Sequence, residues 1–334
     1  MRIVAPLSRL EETTALASAG AGELYCSAVP PDWIERFGSG AVGRRPFANL
    51  PDYADLGRVV EIAARLEVRI SLALNAQHYS GEQVERLVAL AAEFAALGGS
   101  AVIASDPALV AALGEAATGL EVQVSSVASC HNRAALAFWA GLGARRVILP
   151  RQVTLAEVAA MAAACPGLEL EAFVLNDGCI YEEGVCHTIH LPGALGGPIC
   201  LDRYRSGYRH ADGAALDGDE QALLEGNERD YRRWVWGQTS CGFTVTEEGY
   251  PWGPCGLCAI PALARAGVAA VKIAGREASA ERKVKSVEMV RAVLDRWHES
   301  GEEAGTQACA RALRRRPDLC AEGCLCYYPE VRGE

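Results

Sequence analysis

Along the chain, short runs in which almost every position is apolar or β-branched alternate with longer Ala-, Leu- and Glu-rich stretches of helical period. The short runs predict strands buried on both faces, and the longer stretches predict amphipathic helices. The strand runs are RIVAPL (2–7), ELYCS (23–27), VRISLAL (68–74), AVIAS (101–105), EVQVSS (121–126), RVILP (146–150), LELEAFV (168–174) and AAVKIAG (269–275). Helices are predicted between them over 81–97, 106–117, 131–142 and 154–164. Two of these carry start signals: Asp106 followed by Pro107, and Thr154 with Glu157 three residues on, a capping box.

Eight strands, each followed by helical or loop sequence, predict an α/β fold of the (β/α)8 TIM-like barrel type, which needs about 250 residues plus insertions. A doubly wound open sheet is the alternative, but it usually has fewer strands. Two regions break the rhythm, 175–257 after strand seven and 299–334 at the end of the sequence. Loops of such length inside a compact fold are commonly functional. The expected organisation is a barrel over 1–298 that includes a cysteine-rich insertion over 175–257, then a C-terminal cysteine-rich tail over 299–334.

Composition narrows the class. The chain has 334 residues, half of them apolar and 22% charged, which is globular rather than disordered. A net charge of −10 argues against a protein that coats nucleic acid or an anionic membrane, though a local basic patch remains open. The start lacks a basic stretch followed by a long apolar one, and there is no run of 18 apolar residues. The expectation is a cytoplasmic protein with no membrane span.

Thirteen cysteines in such a chain point to metal or catalysis rather than to a disulfide scaffold. Ten fall in or beside the insertion and the tail: Cys179, Cys186, Cys200, Cys241, Cys255, Cys258, Cys309, Cys320, Cys324 and Cys326. Four thiolates are the ligand set of a [4Fe–4S] cluster and also of a structural zinc. The quartet Cys179, Cys186, Cys200 and Cys241 has no tight pair of the zinc-finger kind, and its wide spread suits a cluster over a barrel mouth. Spacing alone leaves both open. A helix over 306–316, rising about 1.5 Å per residue, would carry the tail back toward the active-site face. Cys255, Cys258, Cys320, Cys324 and Cys326 would then converge as a second metal site, holding either a second cluster or zinc.

Barrel active sites lie at the C-terminal ends of the strands. Those ends carry Cys26 and Ser27, then Asn75, Gln77 and His78, Ser125 and Ser126, Arg151, the Asn176–Cys179 segment, and Arg276 with Glu277. Arg151, Lys272 and Arg276 are the candidate cations for orienting a carboxylate or phosphate; ordinary salt bridging is the competing reading. His187 and His190 are candidate ligands or proton donors, and Cys26 a candidate alternative ligand or catalytic thiol. The Arg-, Tyr- and Trp-bearing stretch 228–241 could stack a planar substrate or cap a core.

The stretch ELEAFVLNDGCIYEEGVC resembles the strand-plus-CxxxxxxC signature of peptidase family U32, the collagenase-like proteases. GGPIC is similar to the segment carrying the family's third cysteine, AIPALARAGVAAVKIAGREAS to its IPEL…AGV…LKIEGR block, and RVILPRQVTLAEVAAM to its strand-six segment. The likeness covers roughly 1–298 and is greatest to the short members, the anaerobic ubiquinone-biosynthesis hydroxylase proteins and the anaerobic-type RNA hydroxylation proteins. It implies a barrel core and a [4Fe–4S] cluster on Cys179, Cys186, Cys200 and Cys241. It also implies oxygen-independent hydroxylation, or a related redox modification, of an unidentified small molecule or RNA base. A related partner subunit or a homodimer would accompany it. Arg151, Lys272, Arg276 and His187 would be the catalytic candidates. The sequence departs from the family at Ala274, where a glutamate is usual. It also lacks HExxH, GxSxG and any evident nucleophile with a base, so a U32-type peptidase is the alternative, and a non-catalytic protein with structural metal the third reading.

Overall fold

The structure of the chain, a computed structural model, describes residues 1–38, 40–45, 48–186, 200, 206–239, 245–251 and 253–332. Eight parallel strands close into a barrel in sequence order: β1 (Arg2–Pro6), β2 (Glu23–Cys26), β3 (Arg69–Leu74), β4 (Ala101–Ala104), β5 (Glu121–Val124), β6 (Arg146–Ile148), β7 (Glu169–Leu175) and β8 (Ala270–Ile273). All eight runs expected from the sequence are strands, and β8 pairs with β1 through Ile3 and Val271 to complete the ring. The expected (β/α)8 architecture is therefore the architecture observed.

The ring of helices comprises α1 (Glu12–Ser18), α2 (Pro31–Phe37), α3 (Asp55–Arg65), α4 (Gly81–Ala96), α5 (Pro107–Glu115), α6 (Arg133–Gly141) and α7 (Leu155–Ala164). Asp106 caps α5 by accepting from the Ala108 and Leu109 N–H groups, and Thr154 with Glu157 forms the expected capping box on α7. After β7 come α8 (Gly218–Thr239) and, beyond a 3-10 turn at Leu257–Ala259, α9 (Ile260–Arg265). After β8, α10 (Ala280–Ser300) closes the barrel, and α11 (Glu303–Arg314) and α12 (Pro317–Glu322) form the tail. No helix among the described residues is long and apolar enough to cross a membrane.

The barrel lumen holds a charged layer that apolar periodicity did not announce. Arg146 Nη1 lies 2.8 Å from Glu23 Oε2 and 3.0 Å from Glu171 Oε2, and Lys272 Nζ lies 2.7 Å from Glu171 Oε1. Ser71 and Gln123 donate to Glu23 at 2.6 and 3.1 Å. Burial alone would push the Glu23 carboxyl up, but Arg146 and these donors hold it down at about 2. Each of these buried carboxylates meets at least one cation, and Arg146 also pairs with Glu169 at 3.0 Å, the condition under which buried charge is tolerated.

At the end of β7 the register with β8 shifts between Phe173 and Leu175, a bulge of the kind that re-aims strand ends beside active sites. The Gly256 N–H satisfies the bulged Val174 carbonyl at 2.7 Å. Asn176 and Asp177 then adopt φ of 67° and 47°, left-handed conformations that Asn and Asp tolerate better than other residues. This turn sends the chain off the barrel. The tail returns to the same place: Cys255 bridges Leu175 on one side and Cys326 on the other.

Candidate active site at the barrel mouth

The C-terminal strand ends carry a concentration of guanidinium groups. The loop after β2 brings up Arg44 and Arg45. The Arg44 N–H donates to Asn75 Oδ1 at 3.3 Å and its Nη1 to the Glu183 carbonyl at 2.5 Å. Asn75 Nδ2 donates to Ser125 Oγ at 3.2 Å, and Gln77 Nε2 to the Gly184 carbonyl at 2.6 Å. The segment that follows β7 is thus pinned across the ends of β3 and β5.

Arg276 is the unusual member of this group. It is only 8% exposed, and its Nη1 is buried with no hydrogen-bond partner. Among the described residues it has no ion pair; the neighbouring Glu277 is taken by Arg45 at 3.0 Å. Its guanidinium lies 5.9 Å from the Tyr25 ring centroid. Burial lowers its pKa, and the adjoining Tyr25 and Cys26 would offset that only as anions. Burial pushes both of them up, Cys26 to about 12, so both are neutral at physiological pH. A desolvated cation without a counter-ion is costly, and an anion beside it would relieve that cost.

The other two candidate cations are differently placed. Arg151 Nη1 pairs with Glu183 Oε1 at 2.6 Å, and its guanidinium stacks 3.8 Å from the Phe173 ring centroid. Burial opposes its charge, but Glu183 holds the pKa above the ordinary value; Nε remains buried without a hydrogen bond. Burial likewise pushes Glu183 up, yet Arg151, Ser126 and Arg44 bring it below the usual carboxylate range. Lys272 sits deeper, committed to Glu171 and 4.0 Å from the Tyr25 centroid. The expectation that Lys272 orients substrate meets a physical obstacle here, because its charge is already spent on the barrel's interior layer.

Cys179 lies in this neighbourhood. Burial raises its pKa, Glu183 adds to the rise, and Arg151 and Arg44 oppose it. Cys179, Cys186 and Cys200 are all of intermediate exposure, and none is in a disulfide. Cys241, the expected fourth ligand, lies outside the described residues, as do His187 and His190. Among the described residues no three His, Cys, Asp or Glu side chains gather closely enough for a single metal ion.

A sequence model of peptidase family U32 matches residues 8–333. The chain belongs to peptidase family U32. It is 35% identical to tRNA hydroxylation protein P of Haemophilus influenzae over 86 residues, 26% of this chain and 19% of that protein. It is 23% identical to tRNA hydroxylation protein P1 of Bacillus subtilis over 305 residues, 88% of this chain and 63% of that protein. The chain therefore spans less than two thirds of the length of these relatives. Among solved structures it is similar to the U32 peptidase Mk0906, with 17% identity, coverage of 53% of this chain and 70% of that one, and a TM-score of 0.43.

Within this U32 chain the structure also shows mouth residues that sequence reading missed: Arg44, Arg45, Tyr25, Glu183 and Tyr327. The Arg44-Arg45 pair in the Gly-rich loop after α2, within the connection from β2 to β3, was the available signal. Tyr327, from the tail, donates to the Asn176 carbonyl and, at 3.3 Å, to that of Asp177. Tyr328 donates to the Phe173 carbonyl at 3.2 Å. The tail thereby fixes the end of β7, from which the segment carrying Cys179 departs.

Proposed function

We propose that this U32 protein is an iron–sulfur enzyme that carries out an oxygen-independent hydroxylation, or a related redox modification, of an anionic substrate. The names of its relatives support a tRNA nucleotide as that substrate. The single observation that carries the binding half of this reading is Arg276, a buried guanidinium just beyond the C-terminal end of β8 with no carboxylate partner among the described residues.

Cys179, Cys186 and Cys200, with Cys241, would hold a [4Fe–4S] cluster. The donor chemistry fits: none of the three described cysteines is in a disulfide, and cysteine thiolates are the normal ligands of such a cluster. When bound, such a cluster supplies one-electron chemistry at the mouth. The chain's own residues do the rest. Arg276 receives a phosphate or carboxylate oxygen, in the forked geometry a guanidinium offers. Arg151, clamped between Glu183 and Phe173, presents a fixed positive edge alongside it. Arg44 and Gln77 hold the backbone at 183–184 against the mouth. Arg45 adds charge at the rim while tied to Glu277.

The described residues give little support to hydrolysis. Ser129 donates to Glu182 Oε2 at 2.9 Å, and His131 Nε2 lies 3.4 Å from Oε1 of the same carboxylate. The acid therefore stands between serine and imidazole, the wrong order for a base to take the hydroxyl proton. Cys26, pushed up to about 12, is a thiol rather than a nucleophilic thiolate at neutral pH.

The test is nucleoside analysis of tRNA from cells grown without oxygen. Deleting the gene should remove a hydroxylated nucleoside; restoring the wild-type gene should return it, and Arg276→Met should not. An unchanged nucleoside profile in the deletion would overturn the tRNA reading.

A further inference from the structure

Between residues 255–258 and the tail lies a partly open cavity of about 600 Å³. Four thiols line it: Cys255, Cys258, Cys320 and Cys326. Each comes from a different local device. Cys255 is held by two backbone bonds, its N–H to the Leu325 carbonyl at 2.8 Å and its carbonyl from the Tyr327 N–H at 2.9 Å. Cys258 follows within the 3-10 turn at Leu257–Ala259. Cys320 sits on α12. Gly323, at φ 70°, ends that helix and turns the chain so that Cys326 comes back to the same cavity.

We propose that Cys255, Cys258, Cys320 and Cys326 hold a second iron–sulfur cluster in this cavity, and that Cys324 takes no part. This proposal is independent of the reaction at the barrel mouth. The four thiols share the wall of one cavity. Cys324 points elsewhere: it is absent from the cavity wall, and its Sγ lies 3.9 Å from Glu322 Oε2.

Size and charge favour a cluster over a single ion. A tetrahedral zinc with Zn–S of about 2.3 Å would draw its sulfurs to within roughly 3.8 Å of one another. Among the described residues no three candidate ligands are gathered that tightly. Four thiols spread around a roomy cavity suit a polynuclear centre instead. Arg311, Arg314 and Arg332 line the same cavity and bring positive charge to the wall that holds the thiols. Arg314 is anchored by its Nη1 and Nη2 to the carbonyls of Pro251 and Gly253, at 3.0 and 2.7 Å, and its Nε is buried without a partner. Leu319, Leu325, Tyr328 and Val331 supply apolar wall beside the thiols, with Arg315 a further cation on the lining.

The experiment is iron, acid-labile sulfide and zinc analysis of the full chain purified without oxygen, in four forms: wild type, C258S/C320S, C324S and C179S/C186S. The C258S/C320S form should lose about four irons and about four sulfides relative to wild type, and C324S none. The C179S/C186S form leaves the second site whole and should still show a cluster by Mössbauer spectroscopy, which keeps the test meaningful if C258S/C320S folds poorly. Iron content equal to wild type in C258S/C320S would overturn the proposal. So would a C179S/C186S form holding zinc and no sulfide. Iron equal to wild type in C179S/C186S would instead count against the mouth cluster and leave this one standing.

Discussion

Lys272 and Arg276 stand four residues apart, yet the same substitution at each should move stability in opposite directions. Lys272→Met removes the partner of Glu171 Oε1 at 2.7 Å, where the carboxylate side chain is fully buried. The gross attraction at that distance is about 6 kcal/mol for an effective dielectric of about 20. Arg146 stays 3.0 Å from Oε2, so Glu171 is half-answered rather than abandoned. The expected loss is therefore about 3–5 kcal/mol, the usual cost of breaking a buried pair. Arg276→Met removes a cation that has no ion pair among the described residues. Its burial cost is recovered, and only the distant Tyr25 ring contact is lost, worth about 0.5–1 kcal/mol. A gain of about 1–3 kcal/mol is expected, together with loss of anion binding, the trade-off of a site destabilised for function. Urea unfolding of both variants, at matched iron content, reads the difference in midpoint at unchanged slope. If Arg276→Met lowers the midpoint as far as Lys272→Met, the guanidinium is a structural ion-pair member and the anion-site argument falls.

Three further outcomes follow from the same geometry. Glu23, held at about 2 against an ordinary 4.5, contributes stability that is complete above pH 4.5 and is lost as pH falls toward 2. Glu23→Gln should flatten that acid limb and cost about 3 kcal/mol at neutral pH, as pH-dependent unfolding would show; an unchanged limb would contradict the pairing with Arg146. Cys26, with its thiol pushed up to about 12 and fully buried, should resist iodoacetamide at pH 8 in the native protein and react only on unfolding. Rapid native labelling, mapped by mass spectrometry, would contradict its placement. Tyr327→Phe removes the donor to the Asn176 and Asp177 carbonyls and should cost about 1–2 kcal/mol. Hydrogen exchange should rise at residues 325–328 and at the end of β7, and equal protection in the variant would refute the clasp.

The strands were legible because parallel strands buried on both faces are nearly continuous apolar runs, and the caps at Asp106 and Thr154 because they are local chemistry. The lumen layer was not. Glu23, Arg146 and Glu171 sit inside strand runs, and only closure of the barrel decides which carboxylate meets which cation. Helix α8 escaped notice because it has no apolar stripe: Leu223, Tyr231 and Trp236 are exposed, and local pairs such as Glu228–Arg232 support it. Arg151, Lys272 and Arg276 were found by position at the end of a strand or within it. Which of them is already neutralised is a three-dimensional fact. Likewise, the spacing offered Cys320, Cys324 and Cys326 equally, and the turn at Gly323 selects two of the three.

A redox modification at the mouth that needs no dioxygen can be read by product analysis in vitro. Protein purified without oxygen, in its oxidised form, would be mixed with unmodified tRNA and a two-electron dye acceptor, with dioxygen excluded and water as the oxygen source, and the digested nucleosides weighed by mass spectrometry. The wild-type protein should give a hydroxylated nucleoside, and the C179S/C186S and R276M forms none. Product that appears only when dioxygen is admitted, or in equal yield from C179S/C186S, would contradict a dioxygen-independent reaction at the mouth.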